Sequence, residues 1–288
     1  MTAGIEARRT ACRPQELTVV VPLFHEPTQP LTDPFFAGLL SHLTDEITLR
    51  GYDMRVRKVL PPAPDWLARL IEDERPAGII VIGQSGAHAA LNAAAASYRP
   101  LVVWGGVEED ATYCTVTSDN VYGGMLATEH LISLGRKRIV FFGNPQAPEI
   151  AKRHKGYRIA LERAGLPMNL VVPARLTAED AGRNAESIVA ARGQFDAIFA
   201  ASDLIATTVI QALTAAGIRV PDDVAVAGFD DLPIASTLVP PLTSVRQDLR
   251  TVARLLVEHV VRRMAGEDTP SVVLEPELIR RASTARAA

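Results

Sequence analysis

Charged side chains that could bind a small molecule follow apolar runs of the sequence. Asp230 and Asp231 come soon after the run at residues 224–227, and adjacent carboxylates there could bind hydroxyl groups, hold a metal ion or close a turn. Arg153 lies near the start of an amphipathic segment, where a cation interacts unfavourably with the helix dipole. That cost predicts a partner for Arg153, either ligand hydroxyls or a carboxylate. The alternative is a solvated helix face.

A second candidate for chemistry is a serine that follows the third apolar run. The segment Gly83-Gln84-Ser85-Gly86-Ala87 nearly matches the Gly-x-Ser-x-Gly elbow of serine hydrolases. Position 87 is alanine, however, and no His-Gly-Gly-Gly oxyanion segment precedes it. The candidate base, His259, lies within a helical pattern instead of a loop. The favoured interpretation is that Gln84 and Ser85 cap a helix or bind a ligand by hydrogen bonds.

Aromatic side chains could cover the apolar face of a ligand. Phe35 and Phe36 are adjacent in a helical pattern, so both cannot face one core, and one could point into a cleft. Trp104 ends an apolar run and precedes Gly105 and Gly106, which allow close approach of the backbone. Trp104 could therefore stack on a sugar ring. Ordinary burial of these three aromatic side chains is the alternative.

The sequence contains no pattern that is typical of a metal site or a nucleotide-cofactor site. The six histidines are scattered, no His, Cys and Asp cluster has ligand spacing, and neither a P-loop nor a Gly-x-Gly-x-x-Gly segment follows a strand. The two cysteines cannot form a disulfide framework. Ser202 and Asp119 each precede a helical pattern and are most simply helix caps.

Short β-branched runs alternate with longer amphipathic segments along the chain. Strands are predicted at 17–23, 52–59, 77–82, 101–104, 138–142, 195–200, 224–227 and 272–280, and helices at 34–50, 66–71, 88–96, 120–134, 150–164, 178–191, 206–216 and 250–264. Such alternation builds parallel sheets with helices on both faces. Because about eight strands exceed the need of one small sheet, the pattern predicts an α/β fold of two doubly wound parallel-sheet lobes.

Composition is that of an ordinary globular protein. The chain has 288 residues, of which 48% are hydrophobic and 22% charged, so an intrinsically disordered chain is excluded. Its net charge of −3 exerts no strong attraction on DNA or anionic lipid. The sequence contains neither an apparent secretory signal nor an apolar stretch long enough to span a membrane. A cytoplasmic protein is expected.

Several of these segments together resemble the effector-binding domain of LacI-type bacterial transcriptional regulators. They occur in the family's order from about residue 17 to the end of the chain. The matching segments include Asp33-Pro-Phe-Phe36, Leu134-Gly-Arg-Lys-Arg-Ile139, Arg153-x-x-Gly156-Tyr157, Ser202-Asp203, Val220-Pro-Asp-Asp-Val224, Gly228-Phe-Asp-Asp231 and Pro240-Pro-Leu-Thr243.

The resemblance implies a type I periplasmic-binding-protein-like fold, in which three crossovers join two lobes and the ligand lies between them. The predicted N-terminal lobe comprises residues 17–116 and 247–275. The predicted C-terminal lobe comprises residues 117–246 and 276–288, and residues 1–16 form a tail or linker.

The resemblance also implies a ligand site. Arg153 and Asp230 match the family's ligand-binding arginine and aspartate, Gln247 matches a polar cleft residue, and Ser202 stands where asparagine is common. Gly105 and Gly106 occupy positions where the family often has an aspartate or an arginine. The predicted site is completed by Phe35, Phe36, Gln84 and Trp104.

The function implied is that of a sugar-responsive effector module in a homodimeric repressor, without catalysis. Closure on a small sugar would change DNA binding by the full-length protein. Family members begin with a helix-turn-helix, and nothing before Leu17 resembles one. We therefore expect DNA binding only through a domain that is absent from this chain. The alternatives are a solute-binding protein of a sugar transporter and, less favoured, a serine hydrolase using Ser85.

Overall fold

A computed structural model describes residues 15–23, 31, 33–61, 63–84, 86–168, 171–172 and 193–284. Its strands are β1 (Glu16–Pro22), β2 (Asp53–Val59), β3 (Gly78–Ile82), β4 (Leu101–Trp104), β5 (Cys114–Ser118), β6 (Ile139–Phe142), β7 (Val171–Val172), β8 (Ala197–Ala200), β9 (Ala225–Asp230), β10 (Thr243–Arg246), β11 (Val272–Leu274) and β12 (Glu277–Ile279). Its helices are α1 (Pro34–Leu49), α2 (Trp66–Glu74), α3 (His88–Ala95), α4 (Asn120–Ser133), α5 (Pro148–Arg163), α6 (Asp203–Ala215), α7 (Pro233–Thr237) and α8 (Leu249–Met264).

The strands form two six-stranded sheets. The first has the order β2-β1-β3-β4-β5-β11 and is parallel throughout, and the second has the order β7-β6-β8-β9-β10-β12. In the second sheet, β12 alone pairs antiparallel, on β10. The chain passes between the sheets after β5, after β10 and between β11 and β12. The predicted α/β fold of two parallel-sheet lobes is thereby confirmed, whereas the predicted limits of the lobes stay a prediction.

The sheet of the first lobe buries both of its faces. Val19 and Val21 of β1 pack on one side, in a core that includes side chains of α1 and α8. Val20, between them, packs on the other side, in a core that includes Trp66 and Leu91 of α2 and α3. A strand with both faces covered reads as a continuous apolar run, which is why β1 was recognisable in the sequence.

The sequence pattern does not predict three of the observed strands, β5, the two-residue β7 and β10, and for β5 and β10 the reason is physical. The segments Cys114–Ser118 and Thr243–Arg246 are mostly polar by residue type, yet almost every side chain in them is buried. In β10, hydrogen bonds offset the cost of that burial: the hydroxyl of Thr243, for example, donates to the carbonyl oxygen of Arg281 at 2.9 Å. The predicted single strand at 272–280 is in fact β11 and β12, one in each sheet. The predicted helix at 178–191 lies outside the described residues.

Candidate functional site

Four predicted site residues lie at the carboxyl ends of adjacent strands in the second sheet. Asp230 ends β9, Gln247 follows β10, Ser202 follows β8, and Arg153 lies on α5, the helix after β6. All four are buried, with exposed fractions between 4% and 8%. Carboxyl ends of parallel strands are where ligands bind in open α/β sheets. The topology therefore gathers these side chains into one polar cluster.

Arg153 is held on every side by polar or aromatic groups. Its Nε donates to Asn120 Oδ1 at 2.8 Å, and its Nη1 donates to the carbonyl oxygen of Ala201 at 2.5 Å. Nη1 also lies 3.5 Å from Asp230 Oδ1. The guanidinium carbon stands 3.8 Å from the centre of the Phe229 ring, which is a cation–π arrangement. The alternative of a solvated helix face for Arg153 is wrong, and because α5 begins at Pro148, Arg153 lies in its second turn.

Close packing of α4 and α5 fixes the position of that arginine. A Cβ atom on Gly124 would lie 2.2 Å from the carbonyl oxygen of Arg153, and one on Gly156 would lie 2.0 Å from that of Val121. Only glycine permits such contact between helix backbones. The hydroxyl of Tyr157 donates to the carbonyl oxygen of Ile139 at 2.7 Å and ties α5 to β6. In the segment Arg153-x-x-Gly156-Tyr157, the glycine and the tyrosine therefore fix the position of α5 and so orient the guanidinium group of Arg153.

Asp230 combines a strained backbone with a perturbed carboxyl group. Its φ of 111° lies in a region that non-glycine residues rarely occupy, and such strain gathers at functional sites. Its Oδ1 accepts a hydrogen bond from Gln247 Nε2 at 2.7 Å. Burial raises the pKa of Asp230 to about 6, although the charge of Arg153 and the bond from Gln247 oppose this shift, and the Asp33 carboxylate adds to it.

Ser202 has a structural role in the cluster. Its Oγ accepts a hydrogen bond from the amide of Ile205 at 3.3 Å and caps α6, as the cap interpretation predicted. Beside it, Asp203 is fully buried, accepting from the Ser244 hydroxyl at 2.5 Å and from the Leu232 amide at 2.7 Å. Burial raises the pKa of Asp203 well above its ordinary value, and the charge of Asp230 raises it further. Ser202 therefore serves the helix start whether or not it also binds a ligand.

The first lobe contributes aromatic groups and an amide. Trp104 is buried, and the ring of Phe35 stacks on it with centroids 6.4 Å apart. Phe36 packs edge-on against Phe35 at 5.9 Å. Both phenylalanines are half-buried against the core of the first lobe. Gln84 follows β3 at its carboxyl end and is buried.

The two lobes approach each other at the loop after β4. Lys152 Nζ lies 3.7 Å from Glu108 Oε1 and so links α5 to this loop. A Cβ on Gly106 would lie 2.1 Å from the same Nζ. Asp33 caps α1 by accepting a hydrogen bond from the Phe35 amide at 2.9 Å, and its carboxylate is near enough to raise the pKa of Asp230 in the other lobe. The polar cluster of the second lobe therefore faces the first lobe.

Some site residues were missed by sequence reasoning, and some predictions fall elsewhere. Asn120 and Phe229 contact Arg153, but nothing in their sequence setting distinguishes them from an ordinary first helical residue and a strand core residue.

The predicted serine hydrolase residues cannot be compared as a pair, because Ser85 lies outside the described residues. Its candidate partner His259 is buried in α8, with Nδ1 3.4 Å from the sulfur of Cys114. Within the described ranges, no three or more His, Cys, Asp and Glu side chains form a group that could hold a metal ion. No helix there is long and apolar enough to cross a membrane.

Comparison with known proteins identifies similar chains. The profile of the periplasmic binding protein-like domain matches residues 128–284, more than half of the chain. The transcriptional regulator CelR of Thermobifida fusca is 38% identical over 190 residues, which is 64% of this chain and 54% of that protein. The match thus spans about half the length of that relative.

Solved structures agree with the fold. A complex of the transcriptional regulator CelR with cellobiose has 30% identity and a TM-score of 0.80, covering 94% of this chain and 85% of that one. A LacI transcriptional regulator from a Rhodococcus species has 28% identity and the same TM-score, covering 94% of this chain and 98% of the other. The second sheet with its polar cluster falls largely within the region that the domain profile matches.

Proposed function

Because the chain belongs to the LacI family of transcriptional regulators and contains their periplasmic-binding-protein-like domain, we propose that it is the effector-binding module of a sugar-responsive regulator. The observation that carries the proposal is the buried cluster of Arg153, Asp230 and Gln247 at the carboxyl ends of the second sheet, facing the first lobe. The effector is a mono- or disaccharide held between the lobes. The cellobiose in the CelR complex is a ligand of this class.

The chemistry of the cluster suits a ligand rich in hydroxyl groups. Gln247 Oε1 is buried, and among the described residues no group donates a hydrogen bond to it. A buried acceptor without a donor is costly, and a ligand hydroxyl would supply that donor. Asp230 accepts and Arg153 donates, so adjacent hydroxyls would form charge-assisted bonds with both. The stacked pair of Phe35 and Trp104 provides an apolar surface for the ring face of the sugar.

Ligand contacts from both lobes would favour the closed arrangement over open ones. In a homodimeric regulator, that population shift would alter the spacing of two DNA-binding domains and so change DNA affinity. A regulator of this kind works on the chromosome, which places it in the cytoplasm. The relatives are regulators and not enzymes, and this chain is no enzyme either; the hydrolase interpretation of Ser85 is therefore wrong.

Calorimetry against cellobiose, maltose and ribose tests the proposal. We expect at least one of these sugars to bind, and Arg153→Ala and Asp230→Ala each to weaken that binding by about 10- to 100-fold, because each removes a hydrogen bond with a charged group. Lys155→Ala, on an exposed position of the same helix, is the matched control and should leave the affinity unchanged. Unchanged affinity in both site variants, or no carbohydrate binding by the parent chain, would refute the proposal.

A further inference from the structure

A chain of hydrogen bonds runs from the surface of the first lobe to Gln84. His88 Nε2, on α3, lies 2.9 Å from Asp110 Oδ1. The other ring nitrogen, Nδ1, lies 2.7 Å from the hydroxyl of Tyr113, and that hydroxyl accepts a hydrogen bond from Gln84 Nε2. Four side chains from three segments of the lobe are thus joined end to end.

The carboxylate sets the direction of this chain, because it can only accept hydrogen bonds. A proton on Nε2 of His88 satisfies this carboxylate, and Nδ1 is then left as an acceptor. Tyr113 donates to Nδ1, and its oxygen is then open to the amide N–H of Gln84. Burial raises the pKa of Tyr113 to about 12, so the phenol keeps the proton that it must donate. Each member fixes the role of the next.

Asn92 holds the carboxylate end in place. Its Oδ1 accepts from the amide of Thr112 at 2.8 Å, and its Nδ2 donates to the backbone oxygen of Asp110 at 3.1 Å. Asn92 Nδ2 also lies 3.2 Å from His88 Nε2 and would donate to it if the proton were on Nδ1. In that case Tyr113 would donate to Gln84 and turn its amide around. The contact from Asp110, shorter by 0.3 Å, favours the first arrangement.

The series of hydrogen bonds ends at the amide oxygen of Gln84. A Cβ on Gly105 would lie 2.8 Å from Gln84 Oε1, so this oxygen lies against the glycine pair where the lobes approach each other. Among the described residues, no group donates a hydrogen bond to Gln84 Oε1. We propose that Asp110, His88 and Tyr113 act as a directional relay that fixes Gln84 with Oε1 toward the cleft, so that Gln84 selects a ligand hydroxyl able to donate. The inference rests on the sugar-binding function proposed above, and His88, Tyr113 and Asp110 are positioning residues that act through Gln84.

The first test needs no ligand. Nitrogen-15 spectra of the histidine side chains, recorded above pH 8 where neutral imidazole dominates, report which ring nitrogen carries the proton. His88→Gln removes one set of signals and thereby assigns it. We expect the Nε2–H form for His88. The Nδ1–H form would overturn the relay, because Gln84 would then present its amide nitrogen.

The second test is a double-mutant cycle with cellobiose, maltose and ribose, measured on the sugar that binds most tightly. We expect Gln84→Ala to weaken binding about tenfold, because it removes the hydrogen bond to the ligand, and Tyr113→Phe about threefold, because it removes only the group that orients Gln84. In the Gln84→Ala background, Tyr113→Phe should have no further effect, because its action passes through Gln84. Tyr98→Phe is the matched control: it removes another tyrosine hydroxyl of this lobe, one that donates to the carbonyl oxygen of Pro76, and it should leave affinity unchanged.

The outcomes separate the relay from the underlying function. An equal loss from Tyr113→Phe in both backgrounds, or the same loss from Tyr98→Phe, would mean a general structural effect and would overturn the relay. Thermal unfolding of each variant shows that it is folded. Failure of the parent chain to bind any carbohydrate would refute the sugar-binding function, and the histidine tautomer would still decide the direction of the relay.

Discussion

Asp230→Asn should stabilise the ligand-free protein at neutral pH although it removes a charged group from the binding cluster. Asp230 is buried, and its folded pKa is about 6, against an ordinary value of 3.8. Two pKa units correspond to about 3 kcal/mol of preference for the neutral carboxyl. Asparagine is neutral at every pH and keeps an oxygen in place of Oδ1, the atom that contacts both Gln247 and Arg153.

The sign follows from proton linkage. Between about pH 4 and pH 6 the folded protein holds a proton on Asp230 that the unfolded chain has lost, so the stability of the parent protein falls as pH rises through this window. Above pH 6 the loss is complete. Asp203, whose pKa burial also raises, contributes in the same direction. The advantage of Asp230→Asn over the parent should therefore be absent near pH 4, grow up to pH 6 and level off at about 2 to 3 kcal/mol.

Urea unfolding followed by far-ultraviolet circular dichroism, at half-unit steps from pH 4 to pH 8, measures this difference. Asp223→Asn is the control, since Asp223 is exposed and hydrogen bonds from Arg219 lower its pKa to about 2. That variant should bring no stabilisation at any of these pH values. A stability difference for Asp230→Asn that does not change with pH, or a loss of stability at pH 7, would refute the assignment of a strained, desolvated carboxylate.

Two further predictions concern the frame of the site. Gly156→Ala places a Cβ 2.0 Å from the carbonyl oxygen of Val121 and must separate α4 from α5. Thermal unfolding should therefore show that the free energy of unfolding falls by about 3 kcal/mol. A variant as stable as the parent protein would contradict the close packing of the two helices. Glu108→Gln breaks the half-exposed pair with Lys152, so sugar affinity should fall by less than about fivefold, and raising the salt concentration should abolish the difference. A larger effect that persists in high salt would show that the loop, and not the charge, had been disturbed.

Apolar periodicity predicted the layout of the fold because most strands of both sheets are covered on two faces. The strand at 101–104 agrees with the structure to the residue, and the helix predicted at 250–264 is observed at Leu249–Met264. The strands β5 and β10 could not be found in this way, because most of their residue types are polar although nearly all of their side chains are buried. Bonds to residues distant in sequence hold both strands: the backbone amide of Thr115 donates to Ser271 Oγ at 3.0 Å, and the Thr243 hydroxyl donates to the carbonyl oxygen of Arg281.

The residues of the candidate site could also be predicted from the sequence only in part. Arg153, which the sequence pattern places near a helix start, and the paired carboxylates at 230–231 are visible in the sequence, although the dipole argument does not apply to Arg153, because it lies in the second turn of α5. Tyr113 and His88 carry no such signal: each has a residue type and a place compatible with ordinary packing. Their importance appears only when the fold brings residues 84, 88, 110 and 113 into one hydrogen-bonded chain, and no spacing rule connects positions on a helix with positions in the following loop.

The two lobes contribute unequal chemistry, and that division has a consequence for specificity. The second lobe holds Arg153 and Asp230, and its glycine contacts and backbone strain hold them in place before any ligand arrives, as preorganised recognition requires. The first lobe offers aromatic faces and one oriented amide, which are sensitive to the shape and stereochemistry of the ligand. If the proposed function is correct, substitutions at Arg153 or Asp230 should weaken all sugars in similar proportion. Substitutions at Gln84 or Phe35 should instead change the order in which sugars are preferred, because only differential contacts alter selectivity.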